Sequence, residues 1–216
     1  MGYTRVRIYR NVTRRRDKNS AEMRKMMSKA ATPKAAKSFS VSDMVLTALL
    51  TAVTCVLSPI SIPIGPVPIS LGTLVIMMDA YLLGCKKGTL AYILYLLLGI
   101  VGLPVFSGFG SGLGKVAGPT GGYLVGYFFI ILICGLAAEH IPADSLSGRS
   151  LHLAAMILGA VILYAFGTAW FCLSTGTGVA AALTLCVFPF LVGDFIKMLI
   201  VLSAAPALSR LVKGLY

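Results

Sequence analysis

VAAALTLCVFPFLVGDFIKMLIVLSAAPAL, Val179–Leu208, is a stretch of 30 residues with only two charged side chains, Asp194 and Lys197. A run of about 20 apolar residues is long enough to cross the hydrocarbon core of a bilayer. A charge at the bilayer centre costs roughly 2.5 kcal/mol or more, so ionisable residues in such a run are candidates for a functional site. At a spacing of three residues, both side chains leave a helix on the same face and can pair or bind one ligand together.

The composition of the whole chain extends this prediction. Of its 216 residues, 57% are hydrophobic and only 12% are charged, whereas a soluble domain has about 25% charged residues. Length and hydropathy together indicate one polytopic membrane domain with little soluble mass. That leaves no room for an ATPase or a large extracellular module, so any energy input must come from a gradient or a partner.

Six apolar segments follow one another along the chain. They lie at about Met44–Ile60, Ile69–Leu83, Thr89–Leu103, Tyr123–Ala138, Leu151–Leu173 and within Val179–Leu208, where Pro189 interrupts the last one. A proline-rich connection at Ser58–Pro68 and a glycine-rich segment at Pro104–Gly122 separate them. We therefore expect an all-α membrane protein with six transmembrane helices. Pro189 is expected in the first turn of the last spanning helix, a position that proline favours.

Charge sets the expected orientation. The net charge is +12, and residues 1–40 supply +10 of it, with twelve Lys or Arg against Asp17 and Glu22. With the N-terminus inside, 17 basic residues lie in cytoplasmic segments and only Lys115 lies outside, which is a strong positive-inside bias. Both termini are then cytoplasmic. We expect residues 1–40 to form a disordered basic extension on anionic lipid rather than a nucleic-acid-binding element, and residues 41–216 to form the membrane domain.

The glycine-rich loop PVFSGFGSGLGKVAGPTGGY, Pro104–Tyr123, contains seven glycines. Glycine permits close backbone approach, which suits a loop that folds over a ligand, and a flexible outer loop is the alternative. A phosphate-binding loop is excluded, because Phe109 occupies its first glycine position and Val116 replaces its Ser or Thr.

The predicted topology puts Asp194 and Lys197 in the outer half of the last helix, beneath the glycine-rich loop. One hypothesis is a water-accessible pocket of mixed charge for a small ligand. The other is a structural ion pair that holds helices together. The expected lining of the pocket is aromatic and comprises Phe106, Phe109, Tyr123, Tyr164 and Trp170.

Two further features of the helices have alternative interpretations. Ala48 and Ala52 form a small-xxx-small step that would let another helix approach closely in lipid, or they are two ordinary alanines. Asp79 lies near Lys86 and Lys87, so an interfacial salt bridge is favoured over a role in proton relay.

The remaining titratable residues indicate no catalytic or metal site. His140 and His152 flank the predicted cytoplasmic connection and are expected to be solvated loop residues. The cysteines lack metal-ligand spacing and are expected to be small core residues. No Ser/His/Asp, HExxH or paired-carboxylate arrangement is present, so we expect no enzyme.

Three segments together resemble one family. They are PVPIS at Pro66–Ser70, GLPVFSG at Gly102–Gly108 leading to GPTGGYLVG at Gly118–Gly126, and PFLVGDFIK at Pro189–Lys197. These segments look like those of the BioY family, the biotin-specific S components of energy-coupling factor (ECF) transporters. The resemblance covers about Val41 to Leu211. It implies the ECF S-component fold, with six helices, both termini inside, and biotin bound on the outer side beneath the loops.

The resemblance also implies roles for residues. Asp194 and Lys197 would contact biotin, since a carboxylate accepts ureido N–H groups and an ammonium meets the ureido oxygen or the valerate. Lys115 is an alternative partner for the valerate. The other predicted substrate-binding residues are Tyr123, Phe106, Ser107 and Gly121. Ala48 and Ala52 match the element that docks on the transmembrane coupling subunit, and Gly72 departs from the family pattern, which often has glutamine there.

The predicted function is biotin capture at the cytoplasmic membrane. The chain would associate with the transmembrane coupling subunit and two ATPase subunits, which alone use ATP, and it would need no cofactor or metal of its own. Two other hypotheses remain. One is a proton-coupled secondary transporter in which Asp194 or Asp79 titrates, and the other is a membrane scaffold without a ligand.

Overall fold

The structure is a computed structural model that describes residues 22–23, 40–142 and 145–213, with side chains described as far as residue 209. The predicted basic extension, residues 1–40, therefore lies almost wholly outside the described residues. From Val41 onward the helices are α1 (Val41–Leu57), α2 (Gly72–Val101), α3 (Gly112–Ala117), α4 (Gly121–His140), α5 (Leu146–Thr175), α6 (Val179–Cys186) and α7 (Phe188–Lys213). Two short strands, β1 (Ser61–Ile62) and β2 (Ile69–Ser70), pair antiparallel, and a 3-10 turn covers Ser107–Phe109.

By length and composition of the assigned helices, four segments of the described chain are long and apolar enough to cross a membrane: α2, α4, α5 and the α6–α7 segment Val179–Ser209. Of these, α2 is not one straight helix, because its backbone is non-helical at Gly84. Helix α1 is apolar but shorter, with 17 residues. The backbone leaves helical geometry at Val187, and Pro189 then lies in the first turn of α7, as predicted. The expected all-α membrane architecture is confirmed, while the number of six spans and the sidedness of the termini remain predictions.

Helix α2 contains a sharp reversal of the chain. Gly84 has φ 73° and ψ −175°, which no helical residue adopts. A Cβ atom on Gly88 would lie 3.6 Å from the Cα of Ala80, although eight residues of straight helix span about 12 Å. The chain thus turns back at Gly84, and α2 consists of two antiparallel arms, residues 72–83 and 85–101. These arms match the second and third apolar segments of the sequence.

Helices α4 and α5 form the centre of the bundle through close backbone approach. A Cβ atom on Gly126 would lie 2.9 Å from the Cα of Leu163, and one on Gly122 would lie 2.5 Å from the carbonyl oxygen of Phe166. Within lipid, such small-residue contacts provide the dispersion energy that holds helices together. Helix α4 is also the most buried of the four long segments. It is therefore the central helix, and the other helices pack around it.

Helix α1 packs with its polar face inward. Thr47, Thr51 and Thr54 are buried. The Oγ1 of Thr51 donates to the carbonyl of Thr47 in its own helix at 2.8 Å and lies 3.4 Å from the carbonyl of Ala91 in the second arm of α2. The Oγ1 of Thr54 donates to Asp79 in the first arm of α2 at 2.6 Å. The opposite face is apolar and exposed, and it includes Ala48 and Ala52. This inversion is what a helix at the edge of a membrane bundle needs, because its outer side meets lipid and its hydroxyls find partners inside.

Two expectations about polar residues are wrong. Asp79 forms no salt bridge with Lys86 or Lys87; it is only 5% exposed and accepts a hydrogen bond from Thr54 Oγ1 at 2.6 Å. Lys87 pairs with Asp43 of α1 instead. The reason is that Asp79 faces α1 inside the bundle, more than a helical turn before the reversal at Gly84.

The second correction concerns His152, which is not a solvated loop residue. Helix α5 begins at Leu146, earlier than expected, and places His152 in the bundle with 2% of its surface exposed. Its Nε2 lies 3.1 Å from the carbonyl oxygen of Ile141, and its ring packs edge-on against Tyr81. His140 is exposed at the end of α4, as expected.

Candidate functional site

A cavity lies beneath the β1–β2 hairpin and the glycine-rich loop, between α2, α4, α5 and α7. Its empty space is about 590 Å³, including the part that opens to solvent. The lining residues come from all these elements and are Ser58, Val67, Pro68, Ser70, Thr73, Tyr95, Phe106, Ser107, Lys115, Thr120, Tyr123, Leu124, Tyr127, Leu163, Tyr164, Phe190, Asp194 and Lys197.

Asp194 and Lys197 form an ion pair on the wall of this cavity. They lie one turn apart on α7, and Lys197 Nζ donates to Asp194 Oδ1 at 2.8 Å. The residues are only 3% and 7% exposed. Lys197 Nζ also donates to the carbonyl oxygen of Ser70 at 2.7 Å, which connects α7 with strand β2. On the other side, the Tyr164 hydroxyl donates to Asp194 Oδ2 at 2.6 Å.

Hydroxyl groups line a second part of the cavity. The hydroxyls of Ser58 and Tyr95 lie 2.8 Å apart, and Tyr95 also donates to the carbonyl of Val105 at 3.1 Å. Thr73 and Tyr127 are in looser contact at 3.4 Å. Each of these hydroxyls has a polar neighbour, so this part of the cavity wall is polar.

Lys115 is the third charged residue of the cavity, and it comes from α3 within the glycine-rich loop. Its alkyl chain lies along Gly110, where a Cβ atom would be 2.9 Å from Lys115 Cδ and Cε. Among the described residues its ammonium group has no hydrogen-bond or ion-pair partner. The cavity therefore holds one cation that is already paired, Lys197, and one that remains available.

Glycines shape the aromatic wall. Phe106 is 1% exposed and stands edge-on to Tyr95, with ring centroids 5.6 Å apart. A Cβ atom on Gly99 would lie 2.5 Å from Phe106 Cε1, and one on Gly167 would lie 2.5 Å from Tyr123 Cε1. Both rings therefore rest directly on helix backbone, and only glycine leaves room for them.

The structure brings most of the predicted binding residues together. Asp194, Lys197, Lys115, Phe106, Ser107 and Tyr123 all line the cavity, as does Tyr164.

Three other residues that were expected at the site do not line the cavity. Gly121 packs against the carbonyl oxygen of Val116, with which a Cβ atom would overlap. Glycine is therefore needed at this position for the chain to enter α4 after α3. Phe109 is 66% exposed, and Trp170 Nε1 donates to the carbonyl of Gly118 at 2.9 Å. Phe109 thus points away from the cavity, and Trp170 contacts the glycine-rich loop from α5 without lining the cavity.

The hydroxyl-bearing part of the wall was not predicted from the sequence: Ser58, Ser70, Thr73, Tyr95 and Tyr127. One signal was present in the sequence. Tyr123 and Tyr127 are four residues apart and share one face of a helix. The other members come from separate elements, and no spacing along the chain relates them.

Comparisons with known proteins agree with the resemblance. The model of the BioY family matches residues 27–214. The biotin transporter BioY of Rhizobium etli is 40% identical over 168 residues, covering 74% of this chain and 89% of the relative. A probable biotin transporter BioY of Pyrococcus horikoshii is 34% identical over 155 residues, covering 72% of this chain and 88% of the relative.

A solved structure is similar as well. The crystal structure of the S component for biotin from an ECF-type ABC transporter superposes with a TM-score of 0.72 at 30% sequence identity, covering 83% of this chain and 95% of that one. The S-component fold expected from the sequence is thereby confirmed. With its multi-pass helical architecture, its matching segments and these relatives, the chain belongs to the BioY family.

Proposed function

We propose that this chain captures biotin in the cavity and takes it up across the cytoplasmic membrane as the substrate-binding subunit of an ATP-driven ECF transporter. The observation that carries the proposal is the buried pair Asp194–Lys197, which sets a hydrogen-bond acceptor beside a donor on the cavity wall. Biotin offers the complement: a ureido ring with N–H groups and an oxygen, an apolar thioether ring, and a carboxylate on a valerate chain. The chain works by binding and movement and is not an enzyme.

The ureido ring is assigned to the pair on α7. Asp194 accepts an N–H of the ring, because each of its oxygens has one partner and room for another. Lys197 has three N–H donors, of which Asp194 and the Ser70 carbonyl take two. The third donor meets the ureido oxygen.

The valerate carboxylate is assigned to Lys115. This lysine has the free ammonium group of the cavity as described above, whereas the charge of Lys197 is already balanced by Asp194. Ser107 lies on the same loop and lines the cavity, so its hydroxyl is placed to donate to the same carboxylate. Phe106, Tyr123 and Phe190 enclose the apolar ring and chain between these two ends.

The partners are assigned to α1. Its exposed apolar face carries Ala48 and Ala52, and two small residues one turn apart let a partner helix approach closely. The transmembrane coupling subunit docks there, and two ATPase subunits bind to the coupling subunit. Only the ATPase subunits use ATP, and this chain needs no cofactor of its own.

Equilibrium binding of radiolabelled biotin to the purified full chain in detergent tests the ligand. We expect saturable binding that unlabelled biotin displaces and that thiamine or riboflavin, which lack the ureido ring, do not. A chain that binds one of these vitamins and ignores biotin would contradict the ligand assignment.

The substitution Ala48→Leu tests the docking face. The added side chain blocks close approach of a helix, so uptake of biotin by cells that also express the coupling and ATPase subunits should fall at least about tenfold, with binding unchanged. The matched control is Val45→Leu on the same exposed face, which should spare both. Loss of binding in Ala48→Leu would argue against a docking role.

One observation favours a second function. Asp79 is a buried acid with no lysine or arginine within 4 Å among the described side chains, which is typical of proton-coupled secondary transporters. Uptake that persists without any ATPase subunit, and that stops on addition of an uncoupler, would establish this alternative. Uptake that requires ATP hydrolysis by the partners would exclude it.

A further inference from the structure

Asp194 has two different partners, one on each carboxylate oxygen. Lys197, from its own helix, donates to Oδ1 at 2.8 Å, and Tyr164, from α5, donates to Oδ2 at 2.6 Å. The second distance is typical of an O–H group that donates to a charged acceptor. Asp194 and Tyr164 are both buried and both line the cavity.

The ion pair alone does not fix the carboxylate. The terminal torsion of an aspartate is broad, and the planar carboxylate turns about it as a unit. Lys197 contacts the carbonyl of Ser70 and Oδ1, but its long, flexible side chain can follow Oδ1 as the carboxylate turns, so this contact restrains the torsion only weakly. The hydroxyl of Tyr164, on a different helix, holds Oδ2 and removes the remaining rotation.

Fixing the carboxylate plane fixes the direction of its unused lone pairs. A carboxylate accepts up to about four hydrogen bonds, so two acceptor positions of Asp194 remain for a ligand. We propose that Tyr164 is a positioning residue, which aims these acceptor positions at the ligand N–H and thereby makes the cavity selective for a ligand that carries this N–H. The inference rests on the proposed function, in which that N–H belongs to the ureido ring of biotin.

The energetic reason is preorganisation. A carboxylate that is already oriented loses little freedom when the ligand binds, whereas a swinging one must be ordered at the expense of affinity. The single hydroxyl hydrogen of Tyr164 is donated to Asp194. Its uncharged oxygen is a weaker acceptor of an N–H than the charged carboxylate beside it, so its main contribution to recognition of the N–H passes through Asp194.

The experiment combines Tyr164→Phe with three ligands: biotin, biotin methylated on both ureido nitrogens, and biotin methyl ester. The phenylalanine ring fills the same space, and Asp194 faces the cavity, where water can replace the lost hydroxyl, so the variant should fold. We expect biotin and its methyl ester to lose roughly tenfold to a hundredfold in affinity. The N-methylated analogue has no N–H to offer, and its weaker affinity, measured by displacement, should change less than about twofold.

Tyr127→Phe is the matched control. Tyr127 is also a buried tyrosine of the cavity wall, but its hydroxyl lies 3.4 Å from Thr73 and has no hydrogen bond to Asp194. Any loss in this variant should be the same for all three ligands. Thermal unfolding without ligand is measured for both variants, so that a loss of folded protein is not counted as a loss of affinity.

The outcomes separate this inference from the function on which it rests. If Tyr164→Phe weakens biotin and its N-methylated analogue by the same factor, the hydroxyl has only a structural role and the inference is overturned. Unchanged biotin affinity in Tyr164→Phe overturns it too, with the proposed function intact. A wild-type chain that binds no biotin overturns both.

Discussion

Asp194 and Asp79 are both acids buried in membrane helices, 3% and 5% exposed, yet their surroundings differ. Asp194 faces a cavity and has a cation and a phenol as partners. Asp79 does not line that cavity and accepts a hydrogen bond from the Thr54 hydroxyl. Burial of an acid in the membrane thus does not by itself indicate a ligand site. A buried acid that is paired with a cation and borders a cavity does indicate a ligand site.

The largest effect that separates the two acids is expected from Asp194→Asn. The neutral amide is a weaker acceptor for the ligand N–H than the carboxylate, and a hydrogen bond to a charged group is worth about 1.5–3 kcal/mol, or roughly tenfold to more than a hundredfold in affinity. It also leaves the buried ammonium of Lys197 without its counter-ion, which lowers the stability of the fold by about 3–5 kcal/mol. Equilibrium binding of labelled biotin measures the loss.

Asp79→Asn is the matched control for that prediction. The amide oxygen still accepts the hydrogen bond of Thr54, so biotin affinity should stay within about threefold. An equal loss in both variants would show that the two acids do not differ in function.

The second-largest effect tests the open space of the cavity beside Phe106 rather than the charge of Asp194. Gly99→Ala puts a methyl group into the ring of Phe106, and overpacking of this kind costs about 1–3 kcal/mol. If the ring moves into the cavity, biotin affinity falls about tenfold to a hundredfold while Asp194 keeps all its partners. Displacement binding assays measure the change.

Gly114→Ala is the matched control for crowding, since a Cβ atom at Gly114 has no neighbour within 4 Å. It should leave affinity unchanged although Gly114 belongs to the glycine-rich loop. Normal biotin affinity in Gly99→Ala would mean that the space beside Phe106 is not occupied by the ligand.

The third effect distinguishes the two lysines of the cavity. Lys115→Ala removes a cation that has no partner among the described residues, so the loss should be about tenfold for biotin and negligible for biotin methyl ester, which has no carboxylate charge. Lys197→Ala removes the counter-ion of Asp194 and should weaken both ligands. If Lys115→Ala weakened both ligands equally, the assignment of Lys115 to the valerate carboxylate would be contradicted.

The contrast between the two acids also shows how far sequence reasoning reaches. Asp194 and Lys197 are three residues apart on one helix, so periodicity alone predicted that they share a face, and the ion pair confirms it. The apolar segments were likewise recognised from local composition, including the two arms of α2 on either side of Gly84.

Contacts between helices were beyond the reach of the sequence. Asp79 was assigned to Lys86 and Lys87 because they are near in sequence, but its partner Thr54 is 25 residues away on α1. Tyr164 and Asp194 are separated by 30 residues and meet because α5 and α7 enclose the same cavity. A pattern along one helix does not state which neighbour it faces, so partners from another helix require the packed structure.

The smallest effect on binding, and the sharpest test of Asp79, is expected from Thr54→Val. Valine keeps the shape of threonine but removes the hydroxyl that donates to Asp79, so a buried acid loses a partner that links α1 with α2. The free energy of unfolding should fall by about 1–3 kcal/mol, the cost of an unsatisfied buried group. Thermal unfolding in detergent measures this, and biotin affinity should change less than about twofold because neither residue lines the cavity. A large loss of affinity with little change in stability would instead connect Asp79 with ligand binding, and would favour the proton-coupled alternative.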